Sequence, residues 1–104
     1  MSQFKNVCVE KKANLYFDGK VTSRTLITEE GNRITLGIML PGEYEFGTSE
    51  KELVELLAGE IDLLLPGESD WRSLVAGESF EVPANAKFQL KVHTLMDYVC
   101  SYFS

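Results

Sequence analysis

Apolar and polar residues alternate along this chain in short bursts, never in long runs. The clearest burst spans 33–40: Ile34, Leu36, Ile38 and Leu40 fall on one face of a strand, and Thr35, Gly37 and Met39 on the other. Glu43–Phe46 alternates charged and aromatic residues, so Tyr44 and Phe46 point in. Lys87–His93 places Phe88, Leu90 and Val92 on one face. Near the C-terminus Tyr98, Cys100 and Tyr102 alternate with Val99, Ser101 and Phe103. Between the bursts stand turn signals: Asp18-Gly19, Glu29-Glu30-Gly31-Asn32, Pro41-Gly42, Gly59-Glu60, Pro66-Gly67, Gly77-Glu78 and Pro83.

Val21–Thr28 is rich in Val, Thr and Ile and reads as a strand that forms a hairpin with the next. Glu52–Ala58 fits either a helical turn or a strand. Its shortness and the Gly59-Glu60 that follows favour a strand, joined by a tight turn to Glu60–Leu65. Trp71–Val75 and Ser79–Val82 complete the set. Leu15, Tyr16 and Phe17 read as a compact apolar plug, and residues 1–13 as a polar, irregular arm. The expectation is nine or ten short strands with little or no helix, closed into a sandwich or barrel.

Composition adjusts this picture only slightly. The 104 residues suit one domain, and 44% hydrophobic with 25% charged residues is ordinary for a globular protein. A net charge of −6 argues against a nucleic-acid partner, because phosphate-backbone binding needs a surplus of Lys and Arg on one face. A small anion needs only one or two local donors and stays open. No stretch is long and apolar enough to span a bilayer, and the N-terminus lacks the apolar core of a signal peptide. Cys8 and Cys100 form no CxxC pair and read as reduced thiols of a cytoplasmic protein. The single histidine, His93, falls on the face opposite Phe88 and reads as exposed.

The glycine and proline spacing resembles that of cupins, small single-domain all-β barrels of the double-stranded β-helix or jelly-roll type. Their first motif runs from a Gly through a His-x-His pair and a Glu to a second Gly; Gly42, Glu52 and Gly59 fit that frame. Gly77 and Pro83 fit the second motif, with Asn85 in place of its later Gly. On this frame the usual metal-binding histidines fall at Phe46, Thr48 and Phe88, and only Glu52 remains of the four usual ligands. No metal is therefore expected.

A closer resemblance covers 14–104, with 1–13 left outside as an arm. Tyr16-Phe17-x-Gly19-Lys20-Val21, Pro41-Gly42-Glu43-Tyr44-x-Phe46-x-Thr48, Asp70-Trp71, Ala76-Gly77-x-x-Phe80-x-Val82-Pro83 and Tyr98-x-Cys100-x-Tyr102 look like the pyrimidine/purine nucleoside phosphorylases of about a hundred residues. That resemblance implies phosphorolysis of many nucleosides to the free base and α-D-ribose 1-phosphate. It also implies a homodimer, with inorganic phosphate as co-substrate and no cofactor.

The chemistry needs an acceptor for the ribose hydroxyls or a group to steady an oxocarbenium-like centre, a surface for the base, and a cation for phosphate. Glu52 is the catalytic candidate. Tyr44, Phe46, Thr48 and Phe88 are the substrate-binding candidates, and Arg72, Arg33 and Lys20 the phosphate-binding ones, with Arg72 placed first because it follows Trp71. Tyr98 and Tyr102 read as core or dimer contacts. The rival reading is a non-enzymatic cupin, a binding or regulatory module for a small sugar-like or apolar ligand.

Overall fold

Gly59 divides the barrel. It joins two consecutive strands, β6 (Lys51–Ala58) and β7 (Glu60–Leu64), that lie in different sheets. Its φ of +106° suits glycine, and a Cβ there would lie 2.6 Å from the carbonyl oxygen of Leu95. The tight turn expected here is therefore a corner between sheets.

The computed structural model describes residues 2–104. Before the corner come β1 (Cys8–Val9), β2 (Asn14–Tyr16), β3 (Val21–Ile27), β4 (Arg33–Met39) and β5 (Gly42–Gly47). After it come β8 (Arg72–Val75), β9 (Ser79–Val82), β10 (Lys87–Val92) and β11 (Met96–Phe103). One sheet has the order β1-β3-β4-β11-β6-β9, with β2 also paired to β3. The other has the order β5-β10-β7-β8. All the pairings are antiparallel, and the only helical element among the described residues is one 3-10 turn at Phe17–Gly19. This is a two-sheet β-barrel of the jelly-roll kind.

The main core lies between the sheets. Ile61, Leu63 and Leu90 of the smaller sheet meet Val54, Leu56 and Met96 of the larger one, all nearly fully buried. Inward positions follow the period of two along each strand.

Three expectations change. First, β4 is turned the other way. Thr35, Gly37 and Met39 face the barrel, while Leu36 and Leu40 are exposed on the outside. Gly37 faces inward because Tyr98 occupies the space in front of it: a Cβ there would lie 2.5 Å from the Tyr98 ring and 2.2 Å from the Thr22 carbonyl oxygen. The apolar outer face has its own small cluster of Leu26, Ile34 and Val99, covered by Val7.

Second, the arm is not wholly irregular, since Cys8 and Val9 pair with Ile27 and Leu26. Third, Leu15, Tyr16 and Phe17 form no buried plug. Leu15 and Tyr16 belong to a surface strand, and all three side chains are substantially exposed. The strand count is eleven because β1 and β2 join the expected set.

Candidate active site

The polar residues of the larger sheet's inner face gather at one end of the barrel. Cross-strand register sets Glu52 of β6 between Tyr102 of β11 and Val82 of β9. Two residues along β11, Cys100 donates its thiol to Glu52 Oε1 at 3.4 Å. The Tyr102 hydroxyl is 3.2 Å from Thr35 Oγ1, and the Tyr98 hydroxyl donates to the Thr22 carbonyl at 3.3 Å. Ser23 of β3 lies in the same wall.

Across the gap stand rings. Phe46 and Phe88 stack with centroids 5.6 Å apart and planes 29° apart. Phe80, from β9 of the larger sheet, reaches over to meet Phe88 edge-on at 5.9 Å. Between these walls lies a cavity of about 160 Å³. One side is polar and the other aromatic, a division suited to a ligand with a hydroxylated half and a flat half.

Burial governs the electrostatics here. Desolvation holds the Glu52 carboxyl above the ordinary carboxylate range, against the opposing pull of the Cys100 thiol and the Arg33 charge. Burial pushes the Cys100 thiol up to about 12, so it is a neutral donor rather than a nucleophilic thiolate. The Tyr102 and Tyr98 hydroxyls are likewise pushed up by burial and stay protonated as donors.

The other expected residues sit as follows. Phe46 and Phe88 line the cavity. Tyr44 is buried behind them and donates its hydroxyl to the Leu40 carbonyl at 2.7 Å. Thr48 is buried outside the cavity; its hydroxyl donates to the Pro83 carbonyl at 2.7 Å and accepts from the Ala86 amide at 3.1 Å. That hydroxyl ties two loops together.

Among the cations, Arg33 stands at the cavity's edge. It continues the inward row of Thr35, Gly37 and Met39, and its guanidinium carbon lies 3.8 Å from the Tyr102 ring centroid. Arg72 is elsewhere: it pairs with Glu68 at 2.8 Å beside the 67–70 loop. Lys20 follows the 3-10 turn and is exposed. His93 pairs with Asp62 at 2.9 Å on the exterior.

Several cavity residues were not singled out from sequence as site residues. Ser23 and Tyr16 had no distinguishing signal beyond strand parity. Cys100, Tyr98 and Tyr102 were read as core or contacts, because alternation identifies an inward side chain but not the open space in front of it. Phe17 does not line the cavity but joins its aromatic cluster, its ring 5.0 Å from Tyr44 and 5.5 Å from Phe46. Among the described residues, no group of three or more His, Cys, Asp and Glu side chains is placed to hold a metal ion.

Residues 11–102 match the profile of the pyrimidine/purine nucleoside phosphorylase family. The chain belongs to that family. A pyrimidine/purine nucleoside phosphorylase from Hydrogenovibrio crunogenus is 62% identical over 102 residues, 98% of each chain. One from Wolinella succinogenes is 60% identical over 102 residues, covering 98% of this chain and 97% of its own. These alignments reach into the arm that the sequence resemblance left outside.

Among solved structures, a protein of unknown function from Acinetobacter superposes with a TM-score of 0.94 at 36% identity, over 97% of this chain and 98% of its own. An RmlC-like cupin from Shewanella frigidimarina gives a TM-score of 0.70 at 17% identity, over 88% of this chain and 81% of its own. The latter likeness is one of fold: this nucleoside phosphorylase family member has the fold of a cupin barrel.

Proposed function

We propose that this protein catalyses phosphorolysis of purine and pyrimidine ribonucleosides in the cavity between its two sheets. The observation that carries this reading is the match of nearly the whole chain to proteins named for that activity. The two-walled cavity supports it. Ribose lies along the polar wall, where Glu52 accepts from a ribose hydroxyl and its negative charge steadies the oxocarbenium-like centre. The base lies against Phe46 and Phe88. Phosphate approaches C1′ from the side opposite the base, at the edge marked by Arg33, whose planar fork suits its oxygens.

As the C1′–N bond breaks, its electron pair leaves with the base, which takes up a proton. A phosphate oxygen forms the new C1′–O bond. Attack opposite the base inverts C1′, so a β-nucleoside yields α-ribose 1-phosphate. Holding both reactants in this arrangement supplies much of the rate, because effective molarities of positioned groups are large.

The reading needs no cofactor. Phe46, Thr48 and Phe88 at the metal-ligand positions of the cupin frame offer no imidazole, so treatment with a chelator leaves the activity intact. Loss of activity with EDTA, restored by a metal ion, would contradict this part.

The protein acts as a homodimer in the cytoplasm. The outer face of the larger sheet supports the dimer: Phe4, Val9, Leu36 and Leu57 are each more than a third exposed around a groove of about 610 Å³. Such a patch suits a second copy of the chain. The arm contributes Phe4, Val7 and Val9 to this face and belongs to the same contact. Two free thiols, one of them exposed, suit a reducing compartment.

The deciding experiment incubates the purified protein with uridine or adenosine, with and without phosphate. Base released only in the presence of phosphate supports the enzyme. No release across a panel of nucleosides would sink it and favour the binding-module alternative.

A further inference from the structure

No Lys or Arg among the described residues lines the cavity itself, although phosphate is doubly or singly charged at neutral pH. The nearest inward-row cation, Arg33, is already engaged. Its Nη2 lies 3.0 Å from Glu50 Oε1, and both side chains are partly exposed. Glu50 stands two residues before Glu52, at the end of the loop that leads into β6. Lys51 between them faces Glu81 instead, at 3.6 Å.

Glu50 therefore offers Arg33 a carboxylate oxygen where a phosphate would offer one of its own. The Tyr102 ring, 3.8 Å from the guanidinium carbon, steadies Arg33 while it exchanges one oxyanion for another. Arg33 is also close enough to Glu52 to favour that residue's charged form, while Glu50 opposes it.

We propose that Glu50 is an internal competitor for the phosphate site: its carboxylate occupies Arg33 in the resting enzyme and is displaced when phosphate binds. This rests on the phosphorolysis reading above. Glu50 is a positioning residue, acting through Arg33. In the resting state it holds the guanidinium beside Tyr102. Its cost is weaker phosphate binding.

The test is steady-state kinetics of Glu50→Gln with phosphate and nucleoside varied separately. The expected result is a fall in KM for phosphate of about two- to fivefold, the size of an exposed ion pair. The change falls on phosphate rather than on kcat or on KM for the nucleoside. Arg33→Ala raises KM for phosphate, and adding Glu50→Gln to it produces no further change, because the competitor has lost its target.

An unchanged phosphate KM in Glu50→Gln would overturn the proposal. So would an equal drop in the Arg33→Ala background, which would make the effect one of net charge. Both are separate from failure of the parent reading, which is revealed by a wild-type protein that releases no base with phosphate. Arg33→Lys guards against a folding defect in Arg33→Ala. It keeps the charge without the fork, and its phosphate KM lies between wild type and Arg33→Ala.

Discussion

The thiol of Cys100 points at Glu52 Oε1 from 3.4 Å, across two paired strands of the larger sheet. A carboxyl half removed from water thus has a weak neutral donor beside it and a guanidinium farther off. Its affinity for a proton is raised by desolvation.

That arrangement sets opposite signs for stability and activity. A carboxyl whose pKa is raised on folding contributes most stability when protonated, below its unfolded value, and loses that contribution as pH climbs through its folded value. Glu52→Gln, which cannot ionise, is accordingly as stable as wild type at low pH and more stable above the ordinary carboxylate range. Thermal melts from acid to neutral pH check this. The same variant loses activity on the order of a hundred- to a thousandfold, the scale for a group that stabilises developing charge. Wild-type turnover would remove Glu52 from the site.

Arg33 and Arg72 are separable. Arg33→Ala raises KM for phosphate roughly tenfold or more, as expected for a charge-assisted contact. Arg72→Ala leaves it unchanged, because Arg72 is paired to Glu68 away from the cavity. Phosphate-saturation curves of the two variants decide between them.

Gly37→Ala would drive a methyl group into the Tyr98 ring and the Thr22 carbonyl. Overpacking of this kind costs about 1–3 kcal/mol. Urea unfolding measures it. Nucleoside KM should also rise, since Tyr98 lines the cavity.

Thr48→Val removes a buried hydroxyl that serves the Pro83 carbonyl and the Ala86 amide at once. The loss is about 1–3 kcal/mol of stability, for groups left buried without partners. The same unfolding assay reads it.

Leu57→Glu places a charge in the apolar groove on the outer face. Sedimentation of wild type as a dimer and of this variant as a monomer is the expected outcome.

The barrel was legible because Gly and Pro cut the chain where it turns, and Glu52 because it stands at a fixed distance between Gly42 and Gly59. The orientation of β4 was not. Both of its faces carry apolar residues, so the larger apolar set, Ile34 to Leu40, reads as inward. In the fold that set faces outward, with the cluster around Ile34 covered by Val7, and the smaller Thr35–Gly37–Met39 set faces the barrel. Arg33 was named as a phosphate candidate but placed behind Arg72; it shares the parity of Thr35 and so belongs to the inner row. Arg72 was favoured for its neighbour Trp71, but that ring lies 4.2 Å under Lys91 Nζ. Sequence adjacency did not carry Arg72 to the cavity.

The aromatic surface formed by the side chains of Phe46, Phe80 and Phe88 has no group that can donate or accept a hydrogen bond. It senses the area and thickness of a base and is indifferent to the pattern of atoms on its edge. Apolar surfaces discriminate between ligands by only about ten- to two-hundredfold, whereas sites that hydrogen-bond a hydroxyl reject its absence far more strongly. Specificity constants across a nucleoside panel should therefore spread narrowly when the base is changed and widely when a sugar hydroxyl is removed. In its selectivity the enzyme would be a reader of ribose that tolerates whatever flat ring ribose carries.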